Sequence, residues 1–286
     1  MIKYISIALL LMLLVTTNRA FAKRVYHSWD EALENKADVK AIKITGMRII
    51  EIPDILDQFP NLEELNLSNN LISSLPPSLY RCNKLKELIL FRNNIDSISP
   101  KIGQLMHLEL LSLSFNDLET IPREIGALTK LKSLAISKNK LSKLPPSIGK
   151  LRNLESLKLA SNKFYTLPNE ITKLKKLRLL DLGYNYLVEL PENIGDLENL
   201  GFLYLNNNRL TLIPESISKC ERLQELDVVR CGVLRLSDAF SDIWSLENVY
   251  VDERTVMFYQ NPRFIGRQRI VVVTPADMLY RPTQNN

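Results

Sequence analysis

LEELNLSNNLISSLPPSLYRCNK, Leu62 to Lys84, is followed without a gap by LKELILFRNNIDSISPKIGQLMH, Leu85 to His107. The two segments match position for position: Leu62 with Leu85, Leu65 with Leu88, Leu67 with Leu90, Asn70 with Asn93. The same register, 23 residues long, holds without insertion from Val39 to about Tyr259. The unit reads L-x-x-L-x-L-x-x-N-x-L-x-x-L-P-x-x-I-x-x-L-x-x. Its first leucine recurs at Leu62, Leu85, Leu108, Leu131, Leu154, Leu177, Leu200 and Leu223, and Val39 and Leu246 open weaker terminal copies, making ten.

In every copy an L-x-L pair, such as Leu65 and Leu67 or Leu180 and Leu182, puts two side chains on one face of a short strand and the intervening residue on the other. One strand cannot shield such a face alone. The copies therefore stack as a parallel sheet and share a continuous core. The Asn at the ninth position (Asn70, Asn93, Asn116, Asn139, Asn162, Asn185, Asn208) stands where the chain turns inward. A buried amide there can satisfy backbone groups of adjacent turns, and a ladder of bonds between successive Asn side chains is expected. The Leu-Pro step, as at Leu144-Pro145, ends the ladder of strand bonds. Pairs three apart, Ile148 with Leu151 or Ile194 with Leu197, then suit a short helical or 3-10 turn.

This pattern resembles the leucine-rich-repeat family, and its L-P-x-x-I-G-x-L spacing is similar to the 23-residue class common in bacterial proteins. The resemblance implies an α/β fold: a right-handed solenoid with a concave parallel sheet and short helical or 3-10 turns on the convex side. It also implies that partners bind on the concave sheet. Extracellular animal and plant members often carry disulfide-bonded caps, which this chain lacks, so the resemblance points to a bacterium.

The ends read differently. Lys3, the apolar run Ile5 to Val15, and Ala20-Phe21-Ala22 have the parts of a secretory signal peptide with cleavage after Ala22. The run is too short to span a bilayer comfortably, and no later stretch is long and apolar enough. The expected organisation is a leader over 1–22, an N-terminal cap over 23–38, ten repeats over 39–259, and a C-terminal cap and tail over 260–286. In the first cap Ser28-Trp29-Asp30-Glu31 is a capping box, and Trp29 with Leu33 forms a stripe to cover the first repeat. Towards the other end Cys231 and Arg254 replace the Asn, and residues 256–273 read as a closing strand or hairpin, with the last ten residues frayed. Export predicts a place in the periplasm, at the cell surface or in the medium.

Nothing in the chain reads as a catalytic site. Cys82 and Cys220 share one repeat position six copies apart, roughly 29 Å at the strand spacing, so they cannot bridge; a bridge from Cys220 to Cys231 is left open. The three cysteines have no metal-ligand spacing, and no cofactor or metal is expected. His27 and His107 have no nucleophile in their own repeat context. Ser216-Ile217-Ser218-Lys219 matches S-x-x-K, but on variable surface positions of the repeat.

The candidate binding surface lies in three outward columns. The residue between the paired leucines runs Lys43, Asn66, Ile89, Ser112, Ala135, Lys158, Asp181, Tyr204, Asp227, Tyr250. The next runs Thr45, Ser68, Phe91, Ser114, Ser137, Ala160, Gly183, Asn206, Val229, Asp252, and the third Ala41, Glu64, Glu87, Leu110, Ser133, Ser156, Leu179, Phe202, Glu225, Asn248. One apolar cluster forms at Ile89, Phe91 and Leu110 with Phe115 at its edge, and another at Leu179, Phe202 and Tyr204 with Tyr184 beside it. Small residues floor the space between them, and Lys158 is its central cation. Apolar patches of this kind mark interaction sites. For Phe115 and Tyr184, stacking on adjacent copies is an equal alternative.

Charge is partitioned along the chain. Net +5 overall, and +3 without residues 1–22, it holds 13 Lys and Arg against 2 acids over residues 129–178, and 5 against 14 over residues 181–253. Most of these basic residues, including Lys130, Lys132, Lys150, Arg152, Lys173, Lys175, Lys176 and Arg178, fall on the edge before the strands. The expected partner is a protein or peptide on the concave sheet. The alternatives are an acidic envelope glycan or lipopolysaccharide along the basic edge, or a structural or adhesive role; nucleic acid does not suit an exported protein. The sequence does not specify an oligomeric state.

Overall fold

The computed structural model describes residues 24–234, 240, 242–253 and 269–273. Within them the chain forms one sheet of twelve strands whose order in space is their order in sequence. These are β1 (Val25–Tyr26), β2 (Ala41–Lys43), β3 (Glu64–Asn66), β4 (Glu87–Ile89), β5 (Leu110–Ser112), β6 (Ser133–Ala135), β7 (Ser156–Lys158), β8 (Leu179–Asp181), β9 (Phe202–Tyr204), β10 (Glu225–Asp227), β11 (Asn248–Val251) and β12 (Arg269–Val272). Every adjacent pair is parallel. Register follows the repeat: Leu180 stands beside Leu203, and Asp181 beside Tyr204. The architecture is the expected solenoid, with 3-10 turns on the side opposite the sheet. The signal-peptide reading, the last ten residues and most of the closing segment lie outside the described residues.

The repeated leucines form one continuous core. From Leu62 to Leu226 the first leucine of each copy and the first of each L-x-L pair are almost wholly inaccessible. The Asn column is buried too, and its bonds are the same in copy after copy. Asn116 donates through Nδ2 to the Leu90 carbonyl of the preceding repeat (2.9 Å) and to its own Leu113 carbonyl (3.0 Å), while its Oδ1 accepts from the Ile95 N–H (3.0 Å). Asn93, Asn139, Asn162, Asn185 and Asn208 repeat the arrangement. The expected side-chain ladder between Asn residues is thus corrected: each amide bonds backbone, because carbonyls and N–H groups of two neighbouring turns converge on it and use its hydrogen-bonding capacity. Cys231 closes the column by donating Sγ–H to the Leu205 carbonyl at 3.1 Å. All three cysteines are free and buried, so Cys220 and Cys231 do not pair.

The residue before each Asn of the column adopts the left-handed conformation, from Asn69 (φ 58°) through Phe115 (φ 59°), Lys138 (φ 53°) and Tyr184 (φ 56°) to Asn207 (φ 57°), and Arg230 (φ 59°) does so before Cys231. None is Gly, so each turn carries local strain that the bonded Asn beside it offsets.

On the convex side the 3-10 turns stack against one another. Glycines at the tightest points permit this: a Cβ on Gly126 would lie 2.5 Å from the Ser147 carbonyl oxygen, one on Gly149 2.5 Å from that of Glu170, and one on Gly195 would overlap that of Ser216. Tyr80 and Thr172 occupy the same repeat position in turns Pro77–Arg81 and Asn169–Lys173, and those turns pack less closely on the next.

At the N-terminal end the helix α1 (Trp29–Glu34) is capped by Ser28, whose Oγ accepts from the Glu31 N–H at 3.2 Å. Trp29 and Leu33 pack on the core. The strand β1 ahead of it was not foreseen; its Tyr26 is buried and pairs with Ile42. At the other end β12 runs parallel to β11, so this pair is a further solenoid strand and the hairpin alternative does not hold for it.

Candidate functional site

Alternation along β9 buries Leu203 completely and turns Phe202 and Tyr204 to the outer face of the sheet. Register then assembles the neighbours. Leu179 stands beside Phe202, Asp181 beside Tyr204, and on the far side Glu225 and Asp227 flank the same two residues. Phe202, Tyr204 and Leu179 are half-buried rather than open, because side chains on strands this close cover one another. The expected patch is therefore shallower than residues standing free in solvent would make it. Tyr184, past the strand end, is the open member at 52% exposure.

The other cluster is built the same way on β4 and β5. Ile89, Phe91 and Leu110 are half-buried, and Glu87 and Leu110 are register partners. Phe91 and Phe115 bring their ring centroids to 4.9 Å in a tilted pair, and the Lys138 ammonium lies 4.3 Å from the Phe115 centroid. Phe115 thus stacks within the solenoid, on a ring of the preceding copy and on the cation at its own position in the next one. Between the clusters β6 and β7 present Ser133, Ala135, Ser156 and Lys158.

Carboxylates surround the second cluster. The Asp181 carboxylate accepts from the Gly183 N–H at 3.2 Å, and Asp227 from the Val229 N–H at 3.1 Å. Asn66 makes the same bond to Ser68 at 3.0 Å in its own repeat. Burial raises the Asp181 pKa above the ordinary carboxylate value, with the Gly183 bond and Lys158 partly offsetting it. Tyr204 is also held well above the ordinary phenol value, first by burial and then by Glu225 beside it.

Two further sets of residues lie outside the concave columns. Tyr165 and Tyr186 stack at 5.5 Å on the edge where the chain leaves the strands, with the Arg209 guanidinium 5.0 Å from the Tyr186 ring. Both rings are exposed, as are Val188 and Leu212 nearby in the repeat. The tenth, twelfth and thirteenth repeat positions would have revealed them; strand alternation does not reach that far. On the opposite edge part of the basic row is paired internally: Lys132 with Glu109 at 2.7 Å, and Lys175 with Asp196 and Glu198 at 3.7 and 3.5 Å.

The remaining chemistry-bearing residues serve packing. Burial pushes the thiols of Cys82, Cys220 and Cys231 up to about 12, which keeps them protonated and unreactive. Ser216 donates to the Glu192 carbonyl and accepts from the Gly195 N–H, tying two convex turns together. His27 lies 3.0 Å from the Lys43 carbonyl oxygen. Among the described residues no group of His, Cys, Asp and Glu could hold a metal ion, and no helix is long and apolar enough to cross a membrane.

Known proteins share this repeat and fold. A family model described as a leucine-rich repeat region matches residues 93–164 and 153–251, and one described as two leucine-rich repeats matches 60–103. The leucine-rich repeat-containing G-protein coupled receptor 5 of Rattus norvegicus is 40% identical over 67 residues, 23% of this chain and 7% of the receptor. A leucine-rich-repeat protein of Leptospira interrogans superposes with TM-score 0.79 at 31% identity, over 85% of this chain and 62% of that one. The ectodomain of the plant membrane receptor kinase GASSHO1/SCHENGEN3 from Arabidopsis thaliana, in complex with CASPARIAN STRIP INTEGRITY FACTOR 2, gives 0.69 at 31% identity, over 78% and 28%. The Arabidopsis receptor kinase HAESA, in complex with the peptide hormone IDA and the co-receptor SERK1, gives 0.63 at 30%, over 74% and 37%. The chain spans less than two thirds of the length of each of these relatives.

Proposed function

Because the chain belongs to the leucine-rich-repeat family, we propose that it is an exported, non-catalytic binding module that holds a protein or peptide against its concave sheet. One observation carries this reading. The outward positions of β4, β5, β8 and β9, which stacking does not dictate, hold two groups of large apolar side chains separated by a floor of small ones. Rigid rings that remain partly accessible are efficient anchors, since they lose little conformational entropy on binding. The solved complexes of GASSHO1/SCHENGEN3 and HAESA lend support, as repeat ectodomains of the same kind that take ligands.

Export rests on residues 1–22, whose charged start, apolar run and small-residue end make a leader. N-terminal sequencing of the secreted or periplasmic product should begin at Lys23; a chain starting at Met1 overturns the leader. The mature protein would then consist of a cap over 23–38, the repeats over 39–259, and a closing cap and tail.

The glycan or lipopolysaccharide reading draws on the basic edge, where residues 129–178 carry 13 Lys and Arg. It is the weaker one, because some of those cations already face carboxylates. Affinity capture from envelope and culture extracts tests both, using residues 23–286 beside a Phe202→Ser, Tyr204→Ser variant whose fold is checked by circular dichroism. Loss of a captured partner in the variant supports the concave sheet. Retention of the same partner, with binding that collapses as salt rises, moves the site to the edge.

A further inference from the structure

We infer that the ligand on the concave sheet is an extended, cationic peptide segment that crosses the strands. It sets one large apolar side chain on each cluster and a Lys or Arg beside the one that meets Phe202 and Tyr204. This rests on the concave-sheet reading above and adds the chemistry of the partner.

Charge complementarity is the first argument. The chain as a whole is basic, yet the three outward columns hold six acids, Glu64, Glu87, Asp181, Glu225 and the buried Asp227 and Asp252, against two bases, Lys43 and Lys158. Three of the acids border the second cluster: Asp181 on β8 and the buried Asp227 on β10 flank Tyr204, and Glu225 on β10 flanks Phe202. A cationic side chain there meets carboxylates and the face of a ring together, whereas an acidic ligand meets repulsion. Lys158 stands beside Asp181 and offsets part of this charge, while most of the other basic residues of 129–178 fall on the edge.

Spacing is the second. The clusters are three to five strands apart, from β4 or β5 to β8 or β9, roughly 14 to 24 Å at ~4.8 Å per strand. An extended chain covers that distance in about four to seven residues at ~3.3 Å each. The small residues of β6 and β7, Ser133, Ala135 and Ser156, leave room for its backbone over the intervening floor.

Phage-displayed random twelve-residue peptides selected on immobilised residues 23–286 provide the test. The enriched peptides should be net positive, with two large apolar residues about four to seven positions apart and Lys or Arg next to one of them. Synthetic copies should bind at least tenfold more weakly to an Asp181→Asn, Asp227→Asn variant. That variant keeps both turn bonds, as Asn66 does at the equivalent position, and its melting temperature verifies folding.

Neutral or acidic peptides, or anchors adjacent in sequence, overturn the inference. So does no enrichment over the bare support. If the Asn variant binds normally while Phe202→Ser, Tyr204→Ser weakens binding, the charge argument fails and the concave sheet stands. If Phe202→Ser, Tyr204→Ser and Phe91→Ser all bind normally, the concave reading itself fails.

Discussion

Each strand of this solenoid has an inward half that repeats and an outward half that does not. Leu134, Leu157, Leu180 and Leu203 occupy one position on successive strands, and all are completely buried. The residues that follow them, Ala135, Lys158, Asp181 and Tyr204, differ in size, polarity and charge. The contrast has a physical origin. An inward side chain must fill the same volume between the same neighbours in every copy, while an outward one meets only its cross-strand partners and solvent. Stability is thus assigned to one half of the strand, leaving the other half free to specify a partner.

The division can be broken most forcefully from the inside. Leu157→Ala should cost about 2–5 kcal/mol through lost burial and an unfilled cavity. Urea denaturation should show that loss while the affinity of any concave-face ligand under native conditions changes little. A parallel fall in affinity would mean the two halves are coupled.

Next in size is Asn139→Ala, which removes bonds to the Leu113 and Ile136 carbonyls and to the Leu118 N–H. Leaving buried groups unpaired should cost about 1–3 kcal/mol, read as a lowered denaturation midpoint. An unchanged midpoint would show that water replaces the amide.

Tyr184→Gly sharpens the comparison in the opposite direction. It relieves a non-glycine residue at φ 56° and should leave stability equal or raise it by up to about 1 kcal/mol. A clear loss would show that the ring supports the solenoid after all.

The smallest effect concerns acid. Burial holds the Asp181 carboxyl above its ordinary pKa, so the folded chain binds that proton more tightly than the unfolded one. Its contribution to stability therefore falls as pH rises from the ordinary carboxylate value through the raised one. Asp181→Asn removes this dependence: its melting temperature should gain on the parent's towards neutral pH, and the difference should shrink in acid. A difference constant from pH 3 to 7 would mean the carboxyl is not perturbed.

The repeat made most of the interior legible, because a 23-residue period with L-x-L alternation admits few other ways to bury its leucines. The Asn column could be located from sequence, but its partners could not. Whether an amide bonds another amide or the backbone depends on how closely two turns converge, and only the three-dimensional path shows that several backbone groups reach each Asn. The concave columns were legible as directions; their half-buried state was not, since mutual covering depends on strand spacing and side-chain reach together. Tyr165 and Tyr186 were missed for a similar reason. They follow a left-handed residue and the Asn turn, beyond which a period of two no longer says which way a side chain points.

The convex glycines have a mechanical consequence. With strand spacing fixed by backbone bonds, the bend of the arc is set by how closely the outer turns approach, so each Gly acts as a stiff link where neighbouring turns lock together. Tyr80 and Thr172 interrupt that locking. Thr172 lies in the turn after β7, between the small-residue floor and the strands that carry Leu179, Phe202 and Tyr204. The convex stack is therefore more loosely joined at the point that lies between the two apolar groups of the outer face than over the turns where glycines interlock.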